Sequence, residues 1–114
     1  MNTKLKIEEG VLYYDDHIFF DDNKDTKVRN ALIVDKFIVL LVEPNSLFGD
    51  QNIICCNLGK IIIWQIADIV KLQEKNYYTS IYLQDQKLYG YNINGVEVTI
   101  DVNTGNILTK ELIR

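Results

Sequence analysis

Apolar and polar residues alternate with a period near two along most of the chain, in short runs broken by turn residues. The runs are Lys4–Ile7, Val11–Tyr14, His17–Phe20, Val28–Val34, Phe37–Val42, Asn52–Cys56, Ile61–Ile66, Tyr78–Leu83, Lys87–Tyr91, Val96–Ile100 and Asn106–Leu112. Successive strand side chains point to opposite faces, so this pattern predicts strands with one core face and one wet face. It is clearest where Val96, Val98 and Ile100 alternate with Glu97 and Thr99. Val28–Val34 and Phe37–Val42 are nearly continuous apolar runs, as expected of central strands covered on both faces. Between them Asp35-Lys36 is either a tight turn or a bend in one long strand. Glu43–Gln51 holds the only Pro and reads as a loop. Ile66–Lys75 alone carries a helical spacing, through Ile66, Ile69, Val70 and Leu72, with Asp68 near its start.

The pattern predicts one β domain over residues 1–114, mostly β. The expected fold is an antiparallel meander of about seven to nine strands, curled or sandwich- or half-barrel-like, with at most one short helix. A weak internal echo supports a meander. Asn52–Ile66 and Lys87–Asp101 each pass from an apolar strand through Asn and Gly into a second apolar strand.

Composition narrows the class. The chain has 114 residues, 47% of them apolar, which is enough for a core and argues against disorder. Spanning a bilayer takes about 20 apolar residues, and the longest run, Phe37–Val42, falls far short. The polar stretch Met1–Gly10 lacks the apolar region of a secretory signal, so the expected location is cytoplasmic. Adjacent Cys55 and Cys56 are expected to be packing thiols rather than a disulfide, with one of them facing the core. A metal centre would need further ligands, and His17 is the only histidine. No cofactor is expected.

Charge is concentrated near the N-terminus. Residues 8–25 hold seven acids (Glu8, Glu9, Asp15, Asp16, Asp21, Asp22 and Asp25) and one base, Lys24, within a chain of net charge −4. Such a stretch repels nucleic acid and suits a basic protein; a solvated hairpin whose acids keep the chain soluble is the preferred reading. No phosphate loop, HExxH or GxSxG motif occurs, and no enzymatic activity is expected. Asp101-x-Asn103-x-Gly105 lacks the later ligands of a calcium loop and reads as an Asp-initiated turn. Trp64 reads as a core anchor. Tyr77, Tyr78, Tyr82, Tyr89 and Tyr91 gather on one predicted strand pair, with Tyr78 and Tyr82 on one face and Tyr89 and Tyr91 on one face. Exposed tyrosines form rigid contact surfaces.

Asn52, Gly59, Trp64, Tyr78, Leu88, Asn92, Gly95, Asp101, Thr104, Gly105 and Ile107, preceded by the strand Phe37–Val42, follow the pattern of a loose set of small bacterial proteins. In these, an Asn-led strand, a Gly turn, a Trp-containing strand and a Tyr-rich strand precede Leu-x-x-x-Asn-x-x-Gly and Asp-x-x-Thr-Gly-x-Ile. About two-thirds of the chain resembles this set. Its members look like propeller-blade-like sheets, and several look like immunity proteins encoded beside polymorphic or contact-dependent toxins. The resemblance implies a cytosolic module that neutralises a toxin domain by direct binding, but it carries over no contact residue; the acidic stretch argues for a basic partner and against nucleic acid, and the short apolar runs against a membrane. On charge and side-chain type alone, Asp15, Asp16, Asp21 and Asp22 would steer the partner, while Leu47, Phe48, Tyr78, Tyr82, Tyr89 and Tyr91 would anchor it. The alternative is a small-ligand or peptide-binding module, with Trp64 and the tyrosines lining a cleft.

Overall fold

The computed structural model describes residues 5–20, 27–44, 48–67 and 75–113. They form eleven strands: β1 (Leu5–Glu8), β2 (Val11–Tyr14), β3 (His17–Phe20), β4 (Val28–Val34), β5 (Phe37–Val42), β6 (Ile53–Asn57), β7 (Ile62–Gln65), β8 (Tyr78–Gln84), β9 (Lys87–Asn92), β10 (Val96–Ile100) and β11 (Ile107–Leu112). All pairings are antiparallel between sequence neighbours, in three sheets: β1-β2-β3, β4-β5-β6-β7 and β8-β9-β10-β11. None closes into a barrel. The all-β meander is as expected, but the strand count exceeds seven to nine because every apolar run, His17–Phe20 included, forms its own strand. No helix occurs among the described residues; most of the helical spacing in Ile66–Lys75 falls at 68–74, outside them.

Two-residue turns set the hairpins. Glu9-Gly10, Asp15-Asp16 and Asp85-Gln86 hold both central residues at positive φ, between 50° and 82°, as twisted hairpins demand. Asp35-Lys36 is a tight turn and not a bend, since Val34 pairs with Phe37 across it. Asp35 has φ 58°. Asp tolerates this region because its short side chain bonds locally, which is why acids stand where Gly was expected.

The second sheet lies between the other two. One apolar cluster joins Val39, Leu41, Ile53, Cys55 and Trp64 to Tyr78, Ile81, Leu88, Val98 and Ile100 of the third sheet. The other joins Ile38, Leu40, Val42, Ile54 and Cys56 to Leu12 and Phe19 of the first. Alternate residues of β5 and β6 therefore serve opposite cores, so β5 is covered on both faces as its sequence predicts, whereas β4, given the same expectation, is an edge strand with Arg29 and Ile33 exposed. For the same reason both cysteines are buried, not one, and both are free thiols. Burial, with the neighbouring Cys56 adding to it, pushes the Cys55 thiol up to about 12, and burial pushes Cys56 up to about 11.

Directional bonds join the second and third sheets. The buried Asn52 amide donates to the Val42 carbonyl at 2.8 Å and the Tyr78 carbonyl at 2.9 Å, and its oxygen accepts from the Tyr78 N–H at 2.8 Å. Its backbone carbonyl also accepts from the Val42 N–H at 3.0 Å. The buried Asn92 donates to the Asn76 carbonyl and accepts from the Asn94 N–H. At the opposite edge Trp64 donates to the Val102 carbonyl at 2.7 Å and lies flat on Gly105. A Cβ on Gly105 would sit 2.6 Å from that ring, and its φ of 80° also favours glycine.

Replacing Asn52 with Ala leaves buried backbone groups of Tyr78 and Val42 without partners. Denaturant unfolding of Asn52→Ala should show a loss of about 3 kcal/mol. Asn52→Asp should not rescue it, because a carboxylate cannot donate to the two carbonyls.

Candidate functional site

Alternation along β9 and β10 sends Leu88, Gly90, Val96, Val98 and Ile100 inward, against the second sheet. It sends Tyr89, Tyr91, Glu97 and Thr99 to the outer face of the third sheet. The register places Ser80, Tyr91, Glu97 and Glu111 in one row across this face, and Tyr82, Tyr89, Thr99 and Thr109 in the next. Tyr82 and Tyr89 stack with centroids 4.9 Å apart and planes 8° from parallel. The Tyr82 hydroxyl donates to the Glu97 carboxylate, and the Thr109 and Thr99 hydroxyls bond at 2.8 Å. The tyrosines are thus half-buried and held in place, a pre-organised surface.

Glu97 and Glu111 face each other directly on adjacent strands. Like charges so placed repel. Among the described residues neither is in an ion pair; the pair that occurs, Lys6–Glu8 at 3.5 Å, lies on the first sheet. Tyr82 offers Glu97 one hydrogen bond and no charge. The arrangement suits a cation held between the two carboxylates and the Tyr91 ring. The carboxylate bond, then burial, then the charges of Glu97 and Tyr89 push the Tyr82 hydroxyl up to about 12.

The other expected contact residues are dispersed. Tyr78 is a correction. A bulge between Tyr78 and Ser80 breaks the alternation, so Tyr78 and Tyr82 lie on opposite faces. Tyr78 is 2% exposed, in the core between sheets, and cannot reach a partner. Its hydroxyl makes no hydrogen bond, and burial pushes it up to about 12 against the opposing influence of the Asn92 side chain. Asp15 and Asp16 occupy the β2–β3 turn on the first sheet, at the other side of the stack from the tyrosine face. Phe48 packs partly buried against the core between the first and second sheets. Asp21, Asp22 and Leu47 lie outside the described residues. Glu97 and Glu111 were missed because only the strand register brings them together; the alternation that puts Glu97 outward was visible.

Other chemistry resolves into structure. The Asp101 carboxylate accepts from the Asn103 N–H at 2.9 Å and its carbonyl from the Gly105 N–H at 2.7 Å, an Asp-initiated turn. His17 is exposed on β3. Two clefts of about 590 Å³ and 440 Å³ open beside the β8–β9 turn, with Gln86 and Val102 in the walls of both. Neither is lined by Trp64 or a tyrosine, so the rings do not form a ligand cleft there.

Residues 2–112 match the model of a domain of unknown function, DUF7957, and the chain belongs to that family. No curated protein matches the chain. Among solved structures the computationally designed Ika8 protein is similar, with a TM-score of 0.61 at 11% identity. The match covers 96% of this chain and 36% of that one, so this chain spans about a third of its length. At that identity the likeness is one of fold.

Alkaline titration followed by tyrosinate absorbance should show Tyr78 and Tyr82 ionising near 12, and Glu97→Gln should return Tyr82 toward 10. Because the folded Tyr78 value lies above the unfolded one, its contribution to stability is whole below pH 10 and is lost as pH rises toward 12. Tyr78→Phe removes an unpartnered buried hydroxyl and should leave stability unchanged or raise it by up to about 1 kcal/mol, whereas Tyr78→Ala should cost about 4 kcal/mol by denaturant unfolding.

Proposed function

We propose that this member of the DUF7957 family is a non-catalytic protein-binding module that holds a basic partner on the outer face of its third sheet. The partner class we assign is a toxin domain, bound in the cytoplasm as an immunity protein binds its target. The observation that carries the reading is the opposed pair Glu97 and Glu111 beside the stacked tyrosines. Two unneutralised carboxylates next to rigid rings form a receptor for Arg or Lys side chains. Stacked tyrosines add contact area at little entropic cost, as they do in binding hot spots. The net charge of −4 supports electrostatic steering of a basic partner.

Binding is favoured over catalysis by the surroundings of the reactive groups. Thiols pushed up to about 12 and about 11 stay protonated and poorly nucleophilic at neutral pH. His17 stands on a different sheet from the carboxylate pair. Relative to the sequence expectation, the anionic contact moves from the Asp15-Asp16 turn to the third sheet, because there two facing carboxylates share a face with stacked tyrosines, whereas Glu8 beside Tyr13 on the first sheet is paired with Lys6.

The test is co-purification of the tagged protein with the product of the adjacent gene, at low and high salt, followed by binding kinetics. A stoichiometric basic partner is expected, associating more slowly in salt. Glu97→Gln with Glu111→Gln, and separately Tyr89→Ala, should each weaken binding by roughly tenfold or more. Asp15→Asn with Asp16→Asn should leave it unchanged. A partner indifferent to the outer-face changes, or no basic partner at all, would overturn the proposal.

A further inference from the structure

The turn between β9 and β10, Asn92-Ile93-Asn94-Gly95, is clasped by asparagine side chains. The Asn94 amide donates to the Lys75 carbonyl at 2.7 Å and to Asn76 Oδ1 at 2.9 Å. The Asn94 N–H donates to Asn92 Oδ1 at 2.9 Å, and the Asn92 amide donates to the Asn76 carbonyl. The turn is thereby tied to the chain that enters β8. The Gly95 N–H donates to the Asn92 carbonyl at 2.9 Å, and the Gly95 carbonyl accepts from the Ile113 N–H at 2.7 Å. Gly95 has φ 83°, and a Cβ there would stand 3.1 Å from the Ile113 carbonyl oxygen. Backbone conformation therefore demands glycine at 95, and the clasp demands asparagine at 94. Together they make the only Asn-Gly step in the chain.

That step is chemically labile, since no Cβ at 95 hinders approach of the glycine nitrogen to Asn94 Cγ. The Gly95 nitrogen gives up its proton and bonds Cγ; the Cγ–Nδ2 bond breaks and ammonia leaves. Water then opens the cyclic imide at either carbonyl, giving aspartate or isoaspartate. Water is the only co-reactant. We propose that Asn94 is a self-modification site that the folded turn guards. The fold withholds both reacting groups: the Gly95 N–H is engaged by the Asn92 carbonyl, and the amide that must leave is held by two acceptors. Reaction proceeds from the opened turn, at a rate set by how often the turn opens.

Once modified, the turn does not close as before. A carboxylate at 94 only accepts, so the Lys75 carbonyl and Asn76 Oδ1 lose their donor and face a negative charge. Isoaspartate also lengthens the backbone between β9 and β10 by one methylene. Tyr91 and Glu97 are the ladder pair next to this turn, so the modification loosens the row assigned above to the partner. That last consequence rests on the proposed function; the modification itself does not.

The test incubates the purified chain in mildly alkaline buffer with and without urea, then maps by proteolysis and mass spectrometry where amide has become carboxylate. Enzymatic methylation of isoaspartate gives a second readout. In urea the modification should fall first at Asn94; without urea it should be roughly tenfold slower or more. Asn76→Ala, shown to be folded by circular dichroism, should speed it in the native chain. Asn94→Asp, which imitates one product, should lower the denaturant midpoint. A native chain modified at 94 as fast as the unfolded one, an unfolded chain modified first elsewhere, or an Asn94→Asp chain as stable as wild type would overturn the proposal.

Discussion

The structure turns on one buried amide. Stacked sheets held by apolar clusters alone have no fixed offset, because hydrophobic contact is not directional. Asn52 supplies the direction: it bonds both the N–H and the carbonyl of Tyr78, as a neighbouring strand would, and at the same time holds both backbone groups of Val42. The end of β5 and the start of β8 are thereby fixed to each other. With that offset set, Trp64 meets Gly105 and Val102, and Ile53 comes within contact of Gly90. Glycine is needed at 105, and at 90 the packing is tight around it. A Cβ at 90 would stand 3.0 Å from Ile53, and one at 105 would stand inside the tryptophan's contact radius. The outward direction of Tyr89, Tyr91 and Glu97 follows, because their neighbours Leu88, Gly90 and Val98 are committed inward.

The same economy explains the acids. Aspartate opens three of the hairpin turns, at 15, 35 and 85, each at positive φ. These residues are selected by backbone conformation before any partner is considered, and their clustering follows from how closely hairpins succeed one another. Charge counted along a sequence therefore mixes acids that shape turns with acids displayed on a face. Glu97 is of the second kind: it sits mid-strand, in regular β conformation, where no turn requires it.

Strand positions were legible from alternation, and the double burial of β5 from its unbroken apolar run. The turn at Asp35-Lys36 was open to two readings because Asp at positive φ can replace the expected glycine. The side assigned to Tyr78 failed for a physical reason. Alternation counts residues, and a bulge at Thr79 inserts one without any mark in the sequence. The facing of Glu97 and Glu111 was beyond reach, since register across a bulged hairpin is decided by packing. Asn52, Trp64, Asp101 and Gly105, among the residues that carry the resemblance to small bacterial proteins, are the ones that lock sheets and turns. They carry information about architecture.

The two end faces of the stack differ in how their charges are settled. On the first sheet, Lys6 and Glu8 neutralise each other at 3.5 Å, and Tyr13 and Ile18 share their face. On the third sheet the charge is left open. Lys110, the nearest base in sequence to Glu111, alternates to the opposite side of β11, across from Val98. One residue of shift in β11 would bring Lys110 opposite Glu97 and close the site internally. The bulge between Thr99 and Ile100 is the feature that sets this register. Repulsion between the two carboxylates costs this face some stability, and a cation bound there would restore it, so on the proposed reading the folding of this face and its binding are linked through the same two groups.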